Sequence, residues 1–334
     1  FIPSNGSKNV LPPPYAIVPG ASVQLAFQHS DVAAGPRDYI VEVDTAAAFS
    51  SPFLSRKTVS ATGLARLNVA LLPTDSLVYY WRSRLASPQP GESTGWTTSS
   101  FTHIIGSPDG WAQLKFDQLN DNDTTGLTWN RGTKRLEFVG TTSTVDVLTY
   151  GSANPNAPSG VSLKINGDEF NIASQGQQCR NNTLNLLAFD KSSSAPYAGI
   201  PFSLFDPRTC GREPQMINSF TVAEMDQAVD GIGTFVANIK PSDSVVLFSI
   251  GDAGYASWTS NIKQALAQLG ISASQLSTLQ AGEPFVILAR KGSAPGTSAV
   301  FRAQTPPANA QSLTVNATIT GRYSAGTVRS LPIG

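Results

Sequence analysis

The amino-acid sequence predicts a multidomain, mainly β protein in which an α/β domain is inserted into a β-sandwich. Three observations support this fold class. The chain has 334 residues, more than one hydrophobic core usually supports. Segments that alternate apolar and polar residues, separated by Gly, Pro, Asn and Asp, occur towards both ends of the chain. Between residues 177 and 298 the apolar residues change to helical spacing.

The composition favours an exported protein. Lys plus Arg number 23 and Asp plus Glu number 23, so the formal net charge is zero, and charged residues make up 14% of the chain. Without a basic stripe to release phosphate counterions, we expect no nucleic-acid partner. No apolar run reaches the ~18 residues of a transmembrane segment. The chain begins with neither Met nor a signal peptide, so we expect a mature fragment of a secreted or outer cell-surface protein.

The two cysteines, Cys179 and Cys210, predict a disulfide. A structural zinc site usually needs four Cys or His ligands, and the two histidines, His29 and His103, lie far upstream, where we expect ordinary surface or edge residues. Exported proteins keep disulfides, and closing this loop would stabilise the fold by about 3–4 kcal/mol. The alternative is two buried thiols. We expect neither a metal nor a cofactor.

Residues 1–105 are predicted to form the first β-sandwich, because strand patterns and turn signals alternate along them. The strand patterns are SVQLAF, YIVEVD (39–44), ARLNVALL (65–72) and VYYWRSRL (78–85). The run YYWRSR, followed by a Gly-Trp pair, resembles a strand of the fibronectin type III domain. In that family the strand carries aromatic residues into the core and arginines outward. The resemblance therefore implies a buried Trp81 and solvated Arg82 and Arg84.

Residues 106–176 and 299–334 are predicted to form a second β-sandwich. Its strand patterns are LTW (127–129), RLEFVG (135–140), TVDVLTYG (144–151), GVSLKIN (160–166), TSAVFRAQ (297–304) and SLTVNATITGRY (312–323). The segment NDNDTTG could offer Asp121 and Asp123 to calcium. It lacks the complete calcium-loop pattern, and Asn and Asp also favour turns. A plain turn is the preferred interpretation.

Residues 177–298 are predicted to form the α/β domain. Its strands are NTLNLLAFD (182–190), GIPFSLFD (199–206), PSDSVVLFSI (241–250) and FVILARKG (285–292). The segment TVAE (221–224) fits a capping box that opens a helix. A later helix has an apolar stripe that ends near Gly270; its members are Ile262, Ala265, Leu266 and Leu269. Between strand and helix lies a turn around Asp252, at a strand end where open α/β sheets place ligands.

The order of these elements resembles the ILEI/PANDER-like domain. The segments VLFSIGDAG, ALAQLG and VILARKG, in this order, carry the resemblance, which covers about a third of the chain. The family includes the stem of protein O-mannose N-acetylglucosaminyltransferase, where an acidic residue in the matching turn and nearby arginines hold a sugar. The resemblance implies that Asp252 binds a ligand, with Arg180 as the nearest candidate arginine. Gly282 stands where the family has its other arginine. Asp252 could instead cap the following helix.

The turn around Asp252 does not fit a catalytic loop. It has no Lys for a phosphate-binding loop and no Ser between its glycines for a nucleophile elbow. The series of domains resembles the non-catalytic region of gingipain-like surface proteins of the type IX secretion system. We therefore predict a non-catalytic binding module, with a glycan or a protein as its ligand.

Two alternatives to this function stay open. One is a carbohydrate-active enzyme domain whose carboxylate pair comes from Asp190, Asp206, Asp252 and Glu283. The other is a structural spacer of a type IX-secreted peptidase-like protein. The sequence specifies no oligomeric state.

Overall fold

The computed structural model describes residues 6–171, 176–303 and 305–330. The described chain is mainly β with several sheets, which confirms the predicted class at that level. Contacts divide the chain into two compact units, residues 1–137 with 327–334 and residues 138–326. The parts of the predicted domains that fall on residues 1–5, 172–175, 304 and 331–334 lie outside the described residues.

The secondary-structure elements are numbered in chain order. The strands are β1 (Ser7–Leu11), β2 (Ala16–Val18), β3 (Ser22–His29), β4 (Arg37–Asp44), β5 (Ser55–Ala61), β6 (Ala65–Ala70), β7 (Leu77–Leu85), β8 (Thr97–His103), β9 (Asp123–Thr125), β10 (Leu127–Asn130), β11 (Arg135–Phe138), β12 (Gly140–Tyr150), β13 (Ser162–Ile165), β14 (Asp168–Glu169), β15 (Gly176–Gln177), β16 (Thr183–Phe189), β17 (Pro196–Tyr197), β18 (Thr209–Arg212), β19 (Ile217–Phe220), β20 (Ser244–Ile250), β21 (Phe285–Arg290), β22 (Ala299–Arg302), β23 (Ser312–Arg322) and β24 (Thr327–Arg329). The helices are α1 (Phe116–Leu119), α2 (Val222–Met225), α3 (Ile232–Asn238), α4 (Ser260–Ala267) and α5 (Ala273–Ser277), with 3₁₀ turns at Tyr255–Ser257 and Ala308–Ala310.

The first unit contains a two-layer β-sandwich. One sheet has the strand order β1-β3-β6 and the other has the order β2-β8-β7-β4-β5. Phe27 on β3 and Trp81 on β7 meet in the core between the two sheets. Because side chains alternate along a strand, Tyr80 and Arg82 lie on the outer face of the five-stranded sheet. The predicted burial of Trp81 is confirmed, since its side chain is fully buried.

Arg82 and Arg84 are half-buried rather than solvated. The guanidinium of Arg82 donates to the Glu42 carboxylate at 2.7 Å and lies 4.0 Å from the centroid of the Phe49 ring. The guanidinium of Arg84 lies 4.9 Å from the Trp96 ring centroid. Stacking on aromatic rings holds both arginines against the sheet.

The two histidines are buried, contrary to the expectation of surface positions. His103 Nδ1 lies 2.9 Å from the carbonyl oxygen of Val18. His29 Nδ1 accepts the backbone N–H of Asp31 at 3.0 Å. Both side chains stabilise strand ends of the sandwich.

A short segment after β8 completes the first unit. It contains α1, the hairpin of β10 and β11, and β9, which pairs with β24 from the C-terminal part of the chain. By contacts, residues 106–137 belong with the first unit. The sequence prediction instead groups them with residues 138–176.

The second unit is organised around an eight-stranded sheet with the order β15-β18-β19-β16-β20-β21-β22, in which β17 also pairs with β16. Central strand β20 is antiparallel to both β16 and β21. The rule that places ligands at the carboxyl ends of open α/β sheets assumes parallel strands. It therefore gives no reason for a site at Asp252, and ligand binding by Asp252 stays a prediction.

Both faces of the central strands are covered, which explains their continuous apolar sequence. On β20, Val245 and Leu247 pack against the helices, in a core shared with Phe235 of α3 and Leu266 of α4. Val246, on the opposite face of β20, belongs to a second core. The second unit therefore has three layers: helices, the eight-stranded sheet and a four-stranded sheet.

The four-stranded sheet joins two distant parts of the chain. Its order is β14-β13-β12-β23, and β12 pairs with β23 from Gly140↔Arg322 to Tyr150↔Ser312. The C-terminal region thus returns beside residues 140–150, as an inserted α/β segment requires. Strand β22, which the predicted boundary at 298 assigns to the sandwich, pairs with β21 in the eight-stranded sheet.

Most predicted elements of the α/β segment are observed. Thr221 and Glu224 form the capping box at α2, and Ile262, Ala265 and Leu266 form the buried face of α4. The predicted strand at 199–206 was wrong, because these residues form bends and turns.

Candidate functional site

The predicted disulfide is confirmed. Cys179 and Cys210 are bonded, with their Cα atoms 4.9 Å apart. Both half-cystines are buried in the core between the four-stranded and eight-stranded sheets. The bond joins the loop before β16 to β18, so it stabilises the edge of the larger sheet.

Asp252 lies in the turn after β20 and does not cap a helix. Its Oδ1 accepts the backbone N–H of Gly254 at 2.8 Å, and its own N–H donates to Asn182 Oδ1 at 3.0 Å. The N-cap of α4 is Thr259, whose hydroxyl accepts the N–H of Ile262. The helix-cap interpretation of Asp252 was wrong, because the 3₁₀ turn at Tyr255–Ser257 separates this residue from α4.

Arg180 lies just before β16 and is already paired. Its guanidinium donates to both carboxylate oxygens of Glu224, at 2.7 and 3.1 Å, and to the carbonyl oxygen of Ser219 at 2.8 Å. Glu224 is also the acidic partner in the capping box of α2. These contacts give Arg180 a structural role, and its use as a ligand-binding residue stays a prediction.

The carboxylates considered for an enzyme each have a different partner. Asp190 accepts the backbone N–H groups of Ser192 and Ser193. Asp206 pairs with Arg208 at 2.9 Å. Glu283, which is fully buried, pairs with Arg302 at 2.9 Å.

The candidate calcium ligands also have other contacts or exposed positions. Asp121 accepts a hydrogen bond from the Tyr15 hydroxyl, while Asp123 is an exposed residue of β9. Among the described residues, no group of three or more His, Cys, Asp and Glu side chains is placed to hold a metal ion.

A polar cavity of the first unit lies against the outer face of the five-stranded sheet. We call it the tyrosine pocket; its volume is about 660 Å³, and it is lined by Pro14, Tyr15, Ala47, Ala48, Tyr80, Thr98, Ser99, Ser100, Asp117, Asn120, Asp121 and Arg131. Its floor comes from β7 and β8, and its walls come from the segment before β2, the turn after β4, and the region around α1.

Tyr80 forms the floor of the tyrosine pocket. Its position on β7 is an outward one, yet only 7% of the residue is exposed. Its hydroxyl lines the pocket and forms no hydrogen bond with the described residues. Burial, together with the carboxylates of Asp117 and Asp121, raises the pKa of Tyr80 to about 12. The hydroxyl is therefore protonated at neutral pH and can donate a hydrogen bond to a ligand.

Tyr15 and Asp121 form one wall of the pocket. The Tyr15 hydroxyl donates to Asp121 Oδ2 at 2.5 Å, and its ring packs edge-on against Trp111 with centroids 5.8 Å apart. Burial and the hydrogen bond to Asp121 raise the pKa of Tyr15. The backbone N–H of Tyr15 also donates to the carbonyl oxygen of Ser100 at 2.7 Å. This wall is therefore held to the sheet at fixed positions.

Other residues that line the pocket supply further polar groups. Arg131 donates to Asn120 Oδ1 at 3.0 Å, and Asn120 Nδ2 donates to the carbonyl oxygen of Asp117 at 3.1 Å. Ser99 Oγ is buried and has no hydrogen-bond partner among the described residues. The pocket thus combines two carboxylates, one guanidinium, an amide and several hydroxyl groups around two tyrosine rings.

This combination matches the requirements of a hydroxyl-rich ligand. Carboxylates accept hydrogen bonds, the guanidinium donates them, and hydroxyls do both. Charge-assisted bonds of this kind are stronger than neutral ones. The aromatic rings offer apolar surface beside the polar groups, as in most small-molecule sites. With Asp117 and Asp121 against the single Arg131, an anionic ligand would meet net repulsion.

Sequence reasoning identified parts of the tyrosine pocket for other reasons. Tyr80 belongs to the motif YYWRSR, and Asp121 was considered as a calcium ligand. Tyr15 and Asp117 were missed. A usable signal was present in FDQLND, where the spacing of Asp117 and Asp121 by four residues places both carboxylates on one side of a helical turn.

In comparisons with known proteins, no protein-family model and no curated protein matches this chain. No helix among the described residues is long and apolar enough to cross a membrane.

Proposed function

We propose that this chain is a non-catalytic binding module of an exported cell-surface protein, and that its ligand is a neutral glycan bound in the tyrosine pocket. The observation that carries this proposal is the hydroxyl of Tyr80, which has no hydrogen-bond partner among the described residues and lies in a polar pocket beside the carboxylates of Asp117 and Asp121. This hydroxyl is free to donate a hydrogen bond to a ligand hydroxyl.

A glycan suits this pocket better than a protein segment does. A sugar presents hydroxyls along its edge and C–H groups on its face, so it could use the carboxylates of Asp117 and Asp121 and the tyrosine rings together. The pocket volume of about 660 Å³ is in the range of small-molecule sites, roughly 300–1,000 Å³. It would hold one or two sugar rings rather than a broad protein surface.

The domain assignments support a surface protein. We propose a fibronectin type III-like domain in 1–105 and an ILEI/PANDER-like domain in 177–298, in an arrangement like that of gingipain-like type IX-secreted proteins. The sandwich around Trp81 and the strand and helix order around β20 support these proposals. The disulfide is typical of an oxidising compartment and supports secretion.

The test is an array of neutral and sialylated glycans, followed by calorimetry of the full chain with the glycans that bind. We expect binding to neutral glycans and none to sialylated ones. Asp121→Asn and Asp117→Asn should each weaken binding about tenfold, since each removes one charge-assisted hydrogen bond. Asp109→Asn, an exposed position outside the pocket, is the matched control and should have no effect.

Two outcomes would contradict the proposal. The first is the absence of glycan binding at millimolar concentration. The second is binding that both pocket variants leave unchanged. Hydrolysis of a bound glycan by the wild-type chain would favour the enzyme alternative over a binding module.

A further inference from the structure

A second cavity of the first unit lies between the two sheets of the β-sandwich. We call it the inter-sheet slot; it has a volume of about 310 Å³. Val41 on β4 and Tyr79 on β7 line it from the five-stranded sheet, and Leu67 and Val69 on β6 line it from the three-stranded sheet. Protein cores are normally packed without voids of this size. An opening between two sheets therefore needs an explanation.

The slot opens at the edges of strands that have a neighbour on one side only among the described residues. Strand β5 is the last strand of the five-stranded sheet, and β6 is the last strand of the three-stranded sheet. Val41 is 1% exposed and lies deep in the slot. Ser55, Lys57 and Asn68 are exposed residues that also line it, so they form a polar mouth.

Lys57 places a positive charge at this mouth. On β5, Lys57 and Val59 are on the same face of the sheet, and Val59 packs against the sandwich core. Lys57 forms no ion pair with any described residue, whereas its neighbour Arg56 pairs with Glu42 at 3.0 Å. The slot thus combines an apolar interior with one cation at its entrance.

We propose that the inter-sheet slot binds a free medium-chain fatty acid, with the alkyl chain between the sheets and the carboxylate on the Lys57 ammonium. An ionised carboxylate complements the unpaired cation through a charge-assisted hydrogen bond. The volume is at the small end of ligand pockets and suits one unbranched chain, not the two chains of a membrane phospholipid. This site is separate from the tyrosine pocket and does not depend on the proposed glycan function.

The position of Lys57 at the sheet edge has a second explanation, and fatty-acid binding experiments distinguish the two. Inward-pointing charges on edge strands protect sheets from pairing with other chains. If protection were its only role, decanoate would not bind to the slot. This outcome would overturn the proposal.

Calorimetry of the full chain with saturated fatty acids tests affinity. We expect affinity to rise about fourfold per methylene from hexanoate to decanoate and to stop rising once the slot is full. Decanol, which has no charge, should bind about tenfold more weakly than decanoate. Decyltrimethylammonium should not bind, and equal binding of all three probes would overturn the role of Lys57.

Variants and methyl NMR test the location. Lys57→Gln should weaken decanoate binding about tenfold, and Lys57→Arg should retain it. Lys8→Gln, on β1 at the opposite edge of the three-stranded sheet, is the matched control. Decanoate should shift the methyl signals of Leu67 and Val69. Shifts confined to methyl groups of the second unit, or an unchanged affinity in Lys57→Gln, would refute the proposal.

Discussion

The hydroxyl of Tyr15 donates a hydrogen bond of 2.5 Å to the carboxylate of Asp121, 106 positions further along the chain. This bond connects the segment before β2 to the turn after α1, in one wall of the tyrosine pocket. It therefore links the stability of the first unit to the geometry of the proposed glycan site.

Removing this bond should affect stability and binding together. We expect Tyr15→Phe to lower the free energy of unfolding by about 1 kcal/mol, because Asp121 loses one partner. Glycan binding should weaken as well, since one wall of the pocket loses a fixed contact. Urea unfolding and calorimetry on the same preparations measure the two effects. Unchanged stability would show that the bond is absent in solution.

Tyr80→Phe should weaken glycan binding without changing the stability of the protein. The Tyr80 hydroxyl has no partner among the described residues, so its removal should leave the unfolding free energy unchanged within about 0.5 kcal/mol. Glycan affinity should fall about fivefold to tenfold, because a ligand hydrogen bond is lost. If stability falls by more than about 1 kcal/mol, the hydroxyl has a structural partner.

Thr259, and not Asp252, should stabilise α4 as its cap. Thr259→Ala should reduce the unfolding free energy by about 1 kcal/mol, because it removes the hydroxyl that accepts the Ile262 N–H. Asp252→Asn keeps an oxygen for the Gly254 N–H and should be nearly neutral. Urea unfolding of the two variants tests this ranking. Loss of glycan binding in a stable Asp252→Asn protein would move the site to the turn after β20 and contradict the tyrosine pocket.

The Arg180–Glu224 pair should make stability depend on pH in the acid range. Burial alone would raise the pKa of Glu224, but the hydrogen bonds from Arg180 and Thr221 hold it below its usual value of 4.5. The unfolded chain therefore takes up this proton at a higher pH than the folded chain does. The stabilisation is present above pH 4.5 and is lost as the pH falls through the lower folded pKa.

Glu224→Gln measures this contribution. The variant should be about 1–2 kcal/mol less stable than wild type at pH 7, and the difference should shrink as the pH falls below 4.5 and through the lower folded pKa of Glu224. Urea unfolding at a series of pH values gives the comparison. Glu213→Gln, at an exposed position, serves as the control. A difference that stays constant over this range would mean that Glu224 does not titrate as described.

Removing only one charged side chain of the buried Glu283–Arg302 pair should destabilise the protein. Glu283 is fully buried and the Arg302 side chain is 21% exposed. Arg302→Met should cost about 3 kcal/mol, because it leaves a buried carboxylate without its cation. The double variant Glu283→Leu with Arg302→Met should lose less than the sum of the single changes. Additive losses in urea unfolding would show that the two side chains do not interact.

Local patterns in the sequence were sufficient for much of the secondary structure. The resemblance of YYWRSR to a fibronectin type III strand implied the burial of Trp81 on β7, and the Thr221–Glu224 spacing predicted the capping box of α2. The apolar stripe containing Ile262 predicted the buried face of α4. These features depend on residues within one or two turns, so the sequence contains them directly. The isolation of Cys179 and Cys210 as a pair similarly predicted their bond.

The sites depend on contacts between distant segments, and no local pattern contains those. Tyr80 is on the outer face of its sheet, where alternation predicts exposure, but a neighbouring turn and the region around α1 cover it. Arg180 is paired because α2 brings Glu224 to it from 44 positions away. Many pairs of distant residues satisfy the same local preferences, and the packing of the whole chain decides which of them become neighbours. For this reason the mainly β class followed from periodicity, whereas the tyrosine pocket and the inter-sheet slot required the folded chain.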